Sequence, residues 1–112
     1  MKDFMFIFRS RTDLPGLSPQ EMQSNMQQWF AWIDKLKKQN LYVAGEALMQ
    51  PGKVVKGEQP VITDGPFTES KEIVGGFFVV KANSFEEASE LAKDCPDLPR
   101  GSTVEVREVM KF

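Results

Sequence analysis

Ile73-Val74-Gly75-Gly76-Phe77-Phe78-Val79-Val80-Lys81 is the stretch on which the fold turns. Apolar residues stand at odd and even positions alike: Ile73, Phe77 and Val79 on one face, Val74, Phe78 and Val80 on the other. Successive side chains of a strand point to opposite faces, so a strand wetted on one side should alternate with polar residues. This one predicts a strand covered on both faces. Phe4-Met5-Phe6-Ile7-Phe8 reads the same way. Residues 104–110 differ: Val104 and Val106 alternate with Glu105 and Arg107, the pattern of a half-exposed edge strand. Residues 41–48 read as a further strand, interrupted by Gly45-Glu46.

Two helices lie between these strands. Ser18-Pro19-Gln20-Glu21 is a strong helix start, with Ser18 as cap, Pro19 at the first helical position and Glu21 completing a capping box. Met22, Met26, Trp29, Ile33 and Leu36 then recur at helical spacing, with Phe30 and Trp32 on the flanks of that stripe. The helix should run from about residue 19 to 39, with Asn40 as a left-handed cap. Ser84-Phe85-Glu86-Glu87 repeats the capping spacing and opens a second helix. Phe85, Ala88, Leu91, Ala92 and Cys95 share its apolar side, and Pro96 ends it. Val54-Val55 and Val61-Ile62 flank a turn-rich segment and suggest a small hairpin.

Strand, helix, strand, hairpin, strand, helix, strand is the split βαβ unit used twice, the ferredoxin-like βαββαβ pattern with an added hairpin, in a single α+β domain over 1–112. The first and third core strands should be central. Two helices can cover only one face of such a sheet. Five of the nine Phe residues lie on the two central strands. A Phe contributes about 1.5–3 kcal/mol when buried, so a second subunit is expected to cover the other face.

Composition narrows the chemistry. The 112 residues carry 14 Lys and Arg against 16 Asp and Glu, a net charge of −2. That balance argues against direct nucleic-acid binding, which relies on clustered cations. The chain has no histidine and one cysteine. A histidine triad, a histidine metal site and an internal disulfide are excluded. No cofactor fingerprint appears, so a cofactor-free role is expected. The apolar run 4–8 is too short for a signal peptide or a membrane span, and a cytoplasmic protein is expected.

Asp64 to Gly76 concentrates the candidate chemistry: Asp64, Gly65, Pro66, Phe67, Glu69, Lys71, Glu72, Gly75 and Gly76. Asp64, at the start of a turn, could point a carboxylate into a cleft as a general base. The commoner local role of such an Asp is to cap the turn, with Gly65 supplying an unusual backbone angle and Phe67 anchoring the loop. The glycine pair inside a strong strand indicates a bulge or a close approach by backbone or ligand. Glu46 interrupts an apolar strand and faces either that cleft or solvent. Arg107 could hold a ligand carboxylate or simply pair with Glu105. Cys95, on an apolar helix stripe and without cationic neighbours, reads as a buried thiol.

These residues carry a resemblance. Ser18-Pro19-x-Glu21-Met22, Gly45-Glu46-x-Leu48, Thr63-Asp64-Gly65-Pro66-Phe67-x-Glu69-x-Lys71-Glu72, Gly75-Gly76-Phe77-Phe78, Cys95-Pro96 and Val104-Glu105-Val106-Arg107 together resemble the YCII-related proteins, in particular the branch named after its DGPF turn. The resemblance implies a dimeric α+β barrel with a pocket between sheet and helices or at the subunit junction. Related proteins are thought to use a His–Asp pair there; this chain has no histidine, so only the carboxylate half carries over, with Asp64 the candidate. Members of the branch often sit near or are fused to alternative sigma factors. The expected function is a cytosolic homodimer binding a small molecule in a carboxylate-lined pocket formed by Asp64, Glu46, Phe67, Glu69, Lys71, Glu72, Gly75, Gly76 and Arg107, with acid–base chemistry. The alternative is a non-enzymatic interaction or regulatory module linked to transcription initiation.

Overall fold

The computed structural model describes residues 1–65 and 72–112. Its elements are β1 (Lys2–Arg11), α1 (Pro19–Lys38), β2 (Tyr42–Ala47), β3 (Gly52–Lys56), β4 (Val61–Gly65), β5 (Glu72–Ala82), α2 (Phe85–Ala92) and β6 (Thr103–Glu108), with a 3-10 turn over Leu98–Arg100. β2, β5, β1 and β6 form an antiparallel four-stranded sheet in that order. The two doubly apolar strands are therefore central and the others are edges, as the sequence predicts. This is the ferredoxin-like α+β arrangement.

One face of the sheet carries the core. Phe4, Phe6 and Phe8 of β1 stand beside Val80, Phe78 and Gly76 of β5, and the helices cover them with Trp32, Leu36, Ala88 and Ala92. Phe6 stacks on Trp32 at 6.1 Å, and Phe85 meets the edge of Phe4 at 5.1 Å. On the other face Met5, Ile7, Phe77 and Val79 are only half-buried. No other described element lies over them.

The register shifts between Phe8 and Arg9, because Phe8 pairs with Gly76 whereas Arg9 pairs with Val74. Gly75 is the extra residue of a bulge. The shift exchanges the faces beyond it: Val74, not Ile73, continues the row of Phe77 and Val79, while Ile73 stands beside Ser10.

α1 begins as expected. Glu21 N–H donates to Ser18 Oγ at 3.1 Å and Ser18 N–H donates to Glu21 Oε1 at 3.2 Å, a complete capping box. It ends at Asn40, whose φ of 60° is left-handed. Its buried line is displaced from the expected stripe. Trp32 and Leu36 are buried and Trp29 and Ile33 partly so, whereas Met22 and Met26 are exposed. A 20-residue helix is about 30 Å long, and its first turns run beyond the packed core. α2 carries only half of a capping box: Ser84 Oγ accepts from Glu87 N–H, but Asn83 Nδ2 takes the Glu87 carboxylate at 3.2 Å.

β3 and β4 pair only with each other, in a two-stranded sheet of their own. The arm is longer than the Val54-Val55 and Val61-Ile62 pairs suggest, because Thr63, Asp64 and Gly65 continue as strand opposite Val54, Lys53 and Gly52. Asp64 is thus a strand residue, paired with Lys53. Gly65 has no left-handed angle; Val54 occupies the space a side chain would need. Pro66, Phe67, Glu69 and Lys71 lie outside the described residues.

Candidate functional site

Between the exposed half of α1 and the β2–β5–β1 side of the sheet lies a half-open cavity of about 420 Å³. Its floor is aromatic. Phe8 and Phe78 meet edge to face at 4.9 Å, and Trp29 stands against both at 4.9 and 5.7 Å. Tyr42 packs on Phe78 at 5.3 Å from the β2 side. Met26 and Phe30 form the α1 rim. Phe30 is 62% exposed, which is why a mouth exists here and not a closed core.

Glycine keeps this floor flat. A Cβ at Gly45 would lie 2.5 Å from the Tyr42 hydroxyl and 2.6 Å from a Phe78 ring carbon. A Cβ at Gly76 would lie 2.6 Å from the Glu46 carbonyl oxygen. Both expected origins of the glycine pair are present: Gly75 makes the bulge and Gly76 the close approach. Leu48 N–H donates to the Gly75 carbonyl at 2.9 Å, tying the end of β2 to the bulge.

Polar groups gather at one side: Ser10 from β1, and Asp97 and Ser102 from the segment between α2 and β6. Asp97 occupies the cap position of the 3-10 turn without capping it. Its Oδ1 accepts instead from Asn25 Nδ2 of α1 at 2.6 Å. Tyr42 completes the proton-bearing groups; burial, and secondarily the negative charge of Glu46, push its phenol above the ordinary value, so it keeps its proton at neutral pH. Cys95 lines the cavity as a buried thiol raised by burial above its ordinary pKa. Among the described residues no group of three or more Cys, Asp and Glu side chains is gathered as a metal would need. No helix among them is long and apolar enough to cross a membrane.

Of the residues singled out in the sequence, Glu46, Gly75 and Gly76 line this cavity. Register puts Glu46 across from Phe77, so its main chain forms the wall. Asp64 stands on the arm, 89% exposed by side chain and hydrogen-bonded to Lys53 Nζ. Arg107 pairs across from Met5 on the open face of the sheet, 3.8 Å from Glu105. Glu72 opens β5 opposite Arg11. The structure does not bring these three to the cavity. Trp29, Tyr42, Asn25 and Asp97 were not anticipated as site residues. The one local signal is an Asp between Pro96 and Pro99, in a loop that brings the chain back toward the sheet.

The comparisons with known proteins agree with this architecture. The YCII-related domain model matches residues 5–112, and the chain belongs to that family. A search of curated proteins finds no match. Among solved structures, the chain is similar to 5-chloro-2-hydroxyhydroquinone dehydrochlorinase (TftG) from Burkholderia phenoliruptrix AC1100, in complex with 2,5-dihydroxybenzoquinone. The two are 21% identical, the match covers 98% of this chain and 95% of that one, and the TM-score is 0.53. That likeness is one of fold.

Proposed function

We propose that this protein is a cytosolic homodimer that binds a flat, hydroxylated aromatic molecule in the cavity and moves a proton on it through Asp97. The observation that carries the reading is the pairing of an aromatic floor with a single hydrogen-bonded Asp–Asn pair at its polar side. An apolar pocket with a few convergent polar groups is the usual form of a small-molecule site. Flat rings suit the edge-to-face walls of Phe8, Trp29 and Phe78. The quinone bound by the dehydrochlorinase of like fold supports the same ligand class.

The chain has no histidine, and among the described lining residues Asp97 and Tyr42 serve as the proton carriers. Asn25 engages one oxygen of Asp97 and holds its orientation. The other oxygen takes the proton from a ligand hydroxyl, and Tyr42 donates to a carbonyl. Positioned proton transfer of this kind contributes about 10²–10⁴-fold. Among the residues expected from sequence, Glu46, Gly75 and Gly76 contact the ligand, and Asp64 and Arg107 have no part within one chain.

The homodimer rests on surface. The chain exposes 8200 Å². A folded monomer of 12.7 kDa exposes about 6200 Å². The excess of about 2000 Å² has the size of one side of an obligate interface, and the open sheet face of Met5, Ile7, Phe77 and Val79 is its natural centre.

The test is a thermal-shift titration with 2,5-dihydroxybenzoquinone and a panel of hydroquinones. Ligand at 100 times its dissociation constant adds about 2.7 kcal/mol of stability. Trp29→Ala should abolish the shift, while Asp97→Asn should keep binding within several-fold and remove turnover of any compound that reacts. A wild-type protein whose melting is unmoved by the whole panel overturns the ligand assignment.

A further inference from the structure

The cavity's hydrogen-bonding groups stand at two ends, and the register of the sheet measures the gap between them. Ser10 follows Phe4, Phe6 and Phe8 at the two-residue spacing of one strand face, while Arg9 turns to Glu105 on the other face. Ser102, just ahead of β6, stands in the row of Val104 and Val106, which pack on the core. Both serines line the cavity. Ser102 N–H donates to the Asp97 carbonyl at 3.2 Å, so one segment brings a hydroxyl and the carboxylate to this end. At the other end the Tyr42 hydroxyl lies over Gly45, 2.5 Å from where a Cβ would be. Gly45 pairs with Phe78 and Phe78 with Phe6, so that hydroxyl is level with Phe6 and two strands away from β1. Strands lie about 4.8 Å apart and rise about 3.3 Å per residue, which puts Ser10 about 10 Å across the sheet and about 13 Å along it, a diagonal of about 16 Å.

We infer that the ligand is a two-ring aromatic molecule with an oxygen at each end, one held by Ser10, Ser102 and Asp97 and the other by Tyr42. The inference rests on the ligand class proposed above and narrows it. With a hydrogen bond of about 2.8 Å at each end, a single oxygenated ring falls several ångström short of the span, and two rings in line close it. The volume agrees. An apolar cavity of about 150 Å³ is enough for benzene, whereas this one holds about 420 Å³. The wall between the two ends is built of rings, Phe8, Trp29 and Phe78, which suit flat partners along its length. The serines also fit the proton step. A hydroxyl both donates and accepts, so the pair can hold the ligand O–H while Asp97 takes its proton. The electron pair of the broken O–H bond stays on the ligand oxygen, and the serine hydroxyls then donate to that phenolate.

The experiment measures dissociation constants by calorimetry for hydroquinone, 4-hydroxybiphenyl and 4,4′-dihydroxybiphenyl. The proteins are wild type, Tyr42→Phe and Ser10→Ala/Ser102→Ala, each checked for folding by circular dichroism. On wild type the biphenyl diol should bind more tightly than hydroquinone by about 30-fold or more, through burial of the second ring. It should exceed 4-hydroxybiphenyl by about 5-fold, the effect of one further hydrogen bond. Tyr42→Phe should erase that second margin. The serine pair variant should weaken both biphenyls about 10-fold, and Ser10→Ala alone serves if the pair disturbs folding. A diol that binds no more tightly than 4-hydroxybiphenyl, with hydroquinone bound as well as either, overturns the two-ring inference and leaves the aromatic site standing. A wild type that binds none of the three, nor 2,5-dihydroxybenzoquinone, overturns the ligand class and this inference with it.

Discussion

At Gly76 an added Cβ would meet two backbone atoms of β2, the Glu46 carbonyl oxygen at 2.6 Å and the Ala47 Cα at 3.2 Å. Neither can swing aside, so the strands would have to separate under the cavity floor. Gly75 is different. Its nearest obstacle is the Ser10 hydroxyl at 3.2 Å, the end of a side chain that can rotate. Gly76→Ala should therefore cost about 1–3 kcal/mol, as overpacking does. Gly75→Ala should stay within about 0.5 kcal/mol of wild type. Urea unfolding of the two variants decides this, and equal losses would mean that the bulge, not the close approach, demands glycine. At this scale the sequence marks both positions, because a glycine pair inside a strong strand is conspicuous. It does not mark Asp97, whose importance comes from a hydrogen bond to Asn25 across 72 positions of chain.

The elements were legible where local chemistry is strong. Ser18, Pro19 and Glu21 specify the start of α1 through contacts within one turn, and the hydrogen bonds from the Ser18 side chain and backbone hold the Glu21 carboxyl below its ordinary pKa. Ser18→Ala should lower stability by about 1 kcal/mol, whereas Ser18→Gly should cost only a few tenths. Because the N-terminal half of α1 stands off the core and roofs the cavity, Ser18→Ala should also speed hydrogen exchange in residues 19–26; unchanged exchange would show that tertiary packing alone holds the roof. The central strands were legible because β1 and β5 are apolar on both faces. The bulge was legible only as one of two readings of the glycine pair, since Ile73 and Val74 are apolar in either register and the periodicity shows no break. The length of the arm was not legible. Asp64 and Gly65 read as turn residues, and only pairing with Lys53 and Gly52 makes them strand.

Across the whole molecule, one carboxylate joins three distant parts of the chain. Asp3 of β1 accepts from Lys81 of β5 at 3.1 Å and from Lys111 near the C-terminus at 2.8 Å. These hydrogen bonds, that from Lys111 first, hold its carboxyl below the ordinary value of 3.8. A carboxyl with a lowered folded pKa stabilises the fold fully above its unfolded value and loses that contribution as pH falls through the folded one. Asp3→Asn should thus be less stable than wild type at pH 6, and the gap should close progressively below pH 3.8. Parallel acid-unfolding curves that keep a constant separation would refute the assignment. The sheet's uncovered apolar face was legible from the apolar residues at odd and even positions alike of the two central strands, but not from their Phe content, because Phe4, Phe6, Phe8 and Phe78 all lie on the helix-covered face.

The aromatic cluster has a further consequence, optical in kind. Both tryptophans of the chain lie on α1: Trp29 in the cavity wall and Trp32 behind it, their rings 5.5 Å apart. Nearly all the near-ultraviolet emission of the protein therefore originates in the cavity wall and directly behind it. An electron-poor ring seated beside Trp29 would quench that light, and the coupled pair would change its circular dichroism at the same time. The protein carries its own unlabelled reporter of occupancy, built from the same side chains that shape the cavity.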